Sequence, residues 1–157
     1  MKSNTSYRFS PITNLEQLLS AINYIATQTT LLAKQATGLD LAIKSLTVFS
    51  HYNDEFEVLK NIIKPLGKPH NENNGPRIKL DQPIKSKTNN IEYLRIRHPD
   101  PERPQVGCND FIVTNYNNFK EQFLNKNQNL RLIVRPDYEM IEFFDTNFDV
   151  LAYIVSK

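Results

Sequence analysis

Met140-Ile-Glu-Phe-Phe-Asp-Thr-Asn-Phe-Asp-Val-Leu-Ala-Tyr-Ile-Val155 is the stretch whose reading decides the fold. Met140–Phe144 and Val150–Val155 are rich in β-branched and aromatic residues, which suit a pleated, half-buried surface. Between them, Asp145–Asp149 carries the aspartate and asparagine chemistry of a tight turn. A two-stranded hairpin is marginal alone in water, so the rest of the chain must supply a sheet for it to join.

Working back towards the N-terminus, Leu130–Val134 reads as a strand closed by Arg135-Pro-Asp137. Tyr116–Leu124 reads as a short helix with Phe119, Phe123 and Leu124 inward, and Val106–Val113 as a strand. The segment from His98 to Gln105 holds three prolines in eight residues, which excludes helix and central strand and marks a linker. Before it, Ile91–His98 alternates cleanly: Tyr93, Arg95 and Arg97 take one face, Leu94 and Ile96 the other. Ser86–Asn90 is turn-rich, Arg77–Leu80 is a short strand and Pro83 breaks or edges it. Gly67–Gly75, with His70 and three asparagines, has no period and reads as a polar loop. Pro65-Leu-Gly67 ends a helix from Glu55 to about Lys64, capped by Asp54, and Leu46–His51 is the strand before it.

Thr13–Thr37 has the strongest helical period in the chain. Its apolar residues, from Leu15 through Leu18, Leu19, Ile22 and Ile25 to Leu32, recur at three and four. Thr13 with Glu16 spells a capping box, and Gly38 stands where a left-handed stop is wanted. So one-sided a helix covers a sheet or forms a dimer.

The order of elements repeats: strand, helix and two or three strands, a prolyl linker, then strand, helix and three strands. His51-Tyr-Asn-Asp-Glu-Phe56 and Asn115-Tyr-Asn-Asn-Phe119 both join a strand to a helix, 64 residues apart.

Nineteen basic against 17 acidic residues leave a net charge of +2 with no block of like charge, so no nucleic-acid partner is expected. A single cysteine, Cys108, excludes an internal disulfide framework and a cysteine-rich zinc site, and suits a reducing cytoplasm. No stretch approaches the roughly 18 consecutive apolar residues of a membrane span, so no membrane partner is expected either.

A repeated βαβββ unit, with Phe144-Asp-Thr-Asn-Phe-Asp149 running into Val-Leu-Ala-Tyr-Ile154 and a second module opening as Gly107-Cys-Asn-Asp-Phe-Ile-Val113, resembles the vicinal oxygen chelate superfamily. That superfamily includes glyoxalase I, extradiol dioxygenases and the bleomycin- and fosfomycin-resistance proteins. The resemblance covers Leu46–Val155 and implies an α+β fold: two βαβββ modules forming one mixed curved sheet, preceded by a long amphipathic helix. The expected division is a helical extension at 1–45, a first module at 46–98, a prolyl linker at 99–105 and a second module at 106–157, within a single domain.

Catalytic members of the superfamily hold a divalent metal through histidine and glutamate. The resemblance places Thr47, Arg95, Cys108 or Asp110, and Ala152 at those positions, and threonine, arginine and alanine do not make such a ligand set. No metal and no cofactor are therefore expected, with His51, Asp110 and Glu142 as the alternative ligands. No catalytic residue is assigned. Cys108 with His98 lacks a nucleophile motif, and Glu139 with Glu142 near Asp137 reads as solvated carboxylates. Tyr93, Arg95, Arg97 and Phe144 are the expected ligand-binding residues, because arginine forks with aromatic walls suit an anionic or planar small molecule. Three functional readings follow: a non-catalytic, metal-free protein binding a small ligand or a protein partner; a lyase, isomerase or dioxygenase with an atypical metal site; and an interaction protein that uses the N-terminal helix to form a homodimer or a hetero-complex.

Overall fold

The computed structural model describes residues 7–86 and 89–156. Helix α1 (Leu15–Thr37) precedes strand β1 (Ala42–Phe49), helix α2 (Asn53–Ile63), and strands β2 (Gly67–Asn71), β3 (Arg77–Lys85) and β4 (Asn90–Arg97). The second half repeats this order: β5 (Gly107–Ile112), α3 (Tyr116–Phe123), β6 (Leu130–Val134), β7 (Glu139–Phe143) and β8 (Val150–Val155). All eight strands form one mixed sheet in the order β2-β3-β4-β1-β5-β8-β7-β6. Within each half the first and last strands run parallel, β1 with β4 and β5 with β8. The halves join through antiparallel pairing of β1 with β5. The fold is thus α+β, with two βαβββ modules in one curved sheet behind a long N-terminal helix.

Strand alternation divides the sheet into an apolar face and a polar one. Leu46, Val48, Leu94, Ile96, Phe111, Ile141, Phe143, Ala152 and Ile154 are buried together with the inner residues of the helices. Helix α1 lies across β1, β5, β8 and β7, and so spans the seam between the modules. It buries Leu18, Ala21, Ile22, Ile25, Ala26, Leu32 and Ala33 there, so its apolar stripe covers the sheet of its own chain. Leu15, Leu19 and Leu31 remain exposed. Phe56 and Phe119, at the two matching strand-to-helix junctions, are both buried. Among the described residues no helix is long and apolar enough to cross a membrane.

Several boundaries differ from the sequence reading for physical reasons. The cap of α1 is Asn14, whose side chain accepts from the Gln17 backbone N–H at 2.9 Å. Thr13 instead donates to the Gln17 side chain, so the capping box through Glu16 does not form. Asp54 lies inside α2, which begins after Tyr52 without a side-chain cap. Gly67–Asn71 is a strand rather than a loop: it is an edge strand paired with β3 alone. Strand β3 continues through Pro83, which sits beyond the last pairing with β2 and inside the irregular stretch of the pairing with β4, between Lys79 and Ile84.

The segment before α1 is tied to the β1–α2 junction by a buried carboxylate. Glu55 accepts from the backbone N–H of Ile12 and of His51, each at 2.7 Å. His51 is buried, with its ring stacked against Tyr7 at a centroid distance of 3.9 Å. Its Nε2 donates to the Gln105 carbonyl at 3.1 Å, which leaves Nδ1 to accept from the Ser10 hydroxyl at 2.6 Å. Burial lowers the His51 pKa, against the pull of Glu55 and Asp100. A folded state that resists protonation binds fewer protons than the unfolded chain, so His51 costs stability as pH falls through its unfolded value of about 6.5. Urea midpoints are expected to drop between pH 7.5 and 5.5. The drop should be smaller in His51→Gln, and an equal drop in both proteins would remove His51 as its source.

Candidate functional site

The polar face of the sheet is built in rows, because neighbouring strands set their side chains side by side. One row runs Arg77, Arg95, Thr47, Cys108 and Leu151 across β3, β4, β1, β5 and β8. The next runs Tyr93, Ser45, Asp110, Tyr153, Glu142 and Arg131 from β4 to β6. Curvature gathers Thr47, Phe49, Arg95, Arg97, Cys108, Asp110, Met140, Glu142 and Tyr153 around a concavity of about 450 Å³, and Asn73, Asn74 and Arg103 reach its rim.

Cations gather on one side of this concavity, which Arg95 and Arg97 line, and in the adjoining one of about 390 Å³, which Lys44 and Arg77 line. The Arg95 Nη2 donates to the Asn71 side-chain oxygen at 2.6 Å, while the Nε groups of Arg77 and Arg95 are buried without a hydrogen-bond partner. Arg77 lies over the Tyr93 ring at 4.8 Å and Arg97 over Phe49 at 4.8 Å. Among the described residues, no carboxylate comes within 4.0 Å of the Arg77, Arg95 or Arg97 guanidinium groups. Burial, and then the neighbouring charge of Arg77, lower the Arg95 pKa.

The other side holds the acids. Burial pushes the Asp110 carboxyl up, against the pull of Arg77, Arg95 and Lys44. Glu142 is buried and satisfied: it accepts from the Tyr153 hydroxyl at 2.8 Å and pairs with Arg131. Burial, the nearby Cys108 and the bond to Glu142 raise the Tyr153 pKa. Burial, then Asp110, push the Cys108 thiol up to about 12. It is therefore protonated at neutral pH and unsuited to nucleophilic attack.

Of the expected ligand-binding residues, the structure brings Arg95 and Arg97 together at the concavity. Tyr93 shares their face but its ring is occupied, with the tilted His70 ring at 4.8 Å and the Arg77 guanidinium at 4.8 Å. Phe144 lies outside: its backbone N–H bonds to the Asn129 carbonyl at 2.9 Å, just past the end of β7, and its ring packs on Arg131 at 4.4 Å. Ala152 faces the helix-covered side, fully buried, so the residue β8 presents to the concavity is Tyr153. The alternative metal set does not converge. Asp110 and Glu142 line the concavity with Tyr153 between them, whereas His51 is held by Ser10, Gln105 and Tyr7. Among the described residues, no group of three or more histidine, cysteine, aspartate or glutamate side chains could hold a metal ion. Thr47, Arg95, Cys108 and Tyr153 also present a fixed cation and weak donors where a divalent ion needs carboxylates and imidazoles, so they do not fit one.

Arg77, Asn71, Asn73 and Tyr153 are site residues that sequence reading missed. The signal for Arg77 is the period of two in Arg77-Ile-Lys-Leu80, whose Ile78 and Leu80 are buried. Tyr153 carries no such signal, because its neighbours on both sides are apolar.

No family model matches the chain, and no curated protein matches it. A solved structure described as "Structural Genomics, Protein EC4020" is similar in fold, with a TM-score of 0.71 over 99% of this chain and 94% of that one at 12% sequence identity.

Proposed function

We propose that this protein is a metal-independent, non-catalytic member of the vicinal oxygen chelate fold that binds a small anionic ligand in the concavity of its sheet. The observation that carries this reading is the group formed by Arg77, Arg95 and Arg97, half-buried on one face with no carboxylate within 4.0 Å among the described residues. Desolvated guanidinium groups without a carboxylate in contact are costly. An incoming oxyanion supplies the missing charge and acceptors through short charge-assisted hydrogen bonds. Phe49, Met140 and Val155 add an apolar wall for the body of the ligand. Protonated Cys108 is no nucleophile and Glu142 is held by Tyr153 and Arg131, which favours binding over catalysis.

Thermal unfolding with and without ligands tests this. A ligand at a hundredfold excess over its Kd stabilises the folded state by about 2.7 kcal/mol. For a chain of this size that is roughly 5–10 °C in Tm. Aromatic carboxylates and phosphates are expected to give such a shift, and Arg95→Gln to abolish most of it. Manganese, zinc and a chelator are expected to leave Tm unchanged. Stabilisation by a divalent metal, reversed by the chelator, would overturn the metal-independent reading.

A further inference from the structure

We infer that the ligand carries a phosphoryl dianion, held between Arg77 and Arg95, an assignment that rests on the anion site proposed above. The two arginines are direct cross-strand partners on β3 and β4, so their like charges sit side by side on one face. An arrangement of that kind opposes folding unless something negative bridges it. Both Nε groups are buried without a partner among the described residues; Arg95 lines the concavity and Arg77 the adjoining one of about 390 Å³, with Asp110 lining both. A planar monocarboxylate matches the fork of one guanidinium. A tetrahedral head with three terminal oxygens can accept from two guanidinium groups at once.

Charge makes the same choice. Lys44, Arg77 and Arg95 act on Asp110, and Glu72 acts on Arg95 as well, which leaves an excess of two positive charges when Asp110 is protonated and of one when it is ionised. Of the other nearby basic groups, Arg103 pairs with Asp100 at 3.9 Å and Arg131 with Glu142, while Arg97 lies two residues further along β4, over the Phe49 ring. A phosphate monoester carries about −1.5 to −2 at neutral pH and so neutralises that excess. The concavity of about 450 Å³ leaves room beyond the head for a small organic body.

Calorimetric titration of the full-length protein with phenyl phosphate, malonate and benzoate tests the assignment. Phenyl phosphate is expected to bind at least tenfold more tightly than benzoate, and more tightly than the planar dianion malonate. Arg77→Gln is expected to weaken phenyl phosphate more than tenfold while changing benzoate less than threefold, whereas Arg95→Gln weakens both. Should the variants fold poorly, the wild-type protein answers alone: its affinity for phenyl phosphate should rise with pH through the second ionisation, near about 6. Phenyl phosphate binding no better than benzoate, or less well than malonate, overturns the phosphoryl assignment and leaves the anion site standing. Failure of all three probes to bind overturns both.

Discussion

Removing residues 1–38 is expected to leave no folded protein, with loss of cooperative unfolding and partition into aggregates, rather than a trimmed monomer. Helix α1 buries Leu18, Ile22, Ile25 and Leu32 at 1% exposure or less, and Ile12 just before it is buried as well. At roughly 2 kcal/mol for each large apolar side chain, these five contribute on the order of 10 kcal/mol. That matches the whole net stability of about 5–15 kcal/mol for an ordinary domain. Deletion also uncovers the apolar side of β1, β5, β8 and β7, including Ile141, Phe143, Ala152 and Ile154. It removes the Thr29 hydroxyl that accepts from the Asn109 side chain at 2.6 Å in the buried interface. Circular dichroism and light scattering on the full-length and shortened chains provide the check. A soluble shortened chain with a sharp melt would show that α1 is an appendage and free for another role.

What was legible in the sequence is what a strict period carries. On β4, Leu94 and Ile96 are buried and Tyr93, Arg95 and Arg97 lie opposite, because a strand with one wet face must alternate. The closing hairpin was legible from its turn: the Phe148 N–H bonds to the Asp145 carbonyl, and the Asp145 side chain accepts from Asn147. Strand β2 was not, since Gly67-Lys-Pro-His-Asn71 has no apolar alternation and is a strand only because β3 offers it hydrogen bonds. The face of β8 was equally hidden. Every residue from Val150 to Val155 is apolar or aromatic, so pattern alone could not tell that Ala152 lies under α1 and Tyr153 over the concavity. The site suffers most from this, because its members come from strands across the whole sheet and meet only once the sheet curves. Even Asn71 and Asn73, within a composition rich in asparagine, acquire a role only through their position beside Arg95.

Two glycine substitutions separate the conformational demands of the fold from its packing demands. Gly38→Ala places a side chain at φ 76° in the left-handed stop of α1, with nothing within 4 Å of the new carbon. Its cost is backbone strain alone, on the order of 1 kcal/mol. Gly107→Ala is expected to be far worse, although its backbone conformation suits any residue. Gly107 pairs with Val48 on β1 and Val150 on β8, at the seam where the two modules join beneath α1. A methyl group there overlaps the Thr47 carbonyl oxygen and comes within 2.5 Å of the Ile25 side chain. The tip of Ile25 can turn aside, but the Thr47 carbonyl can move only by breaking the central ladder. Overpacking of a core typically costs about 1–3 kcal/mol, and an overlap with backbone belongs at or above the top of that range. Denaturant titration should therefore rank Gly107→Ala at least 2 kcal/mol below Gly38→Ala, by roughly that difference in cost. Because Thr47 and Cys108 sit beside the clash and line the concavity, whatever Gly107→Ala protein remains folded is expected to bind anions weakly as well. Equal stability of the two variants would mean that the seam between the modules yields, and that the concavity is not held in the shape described.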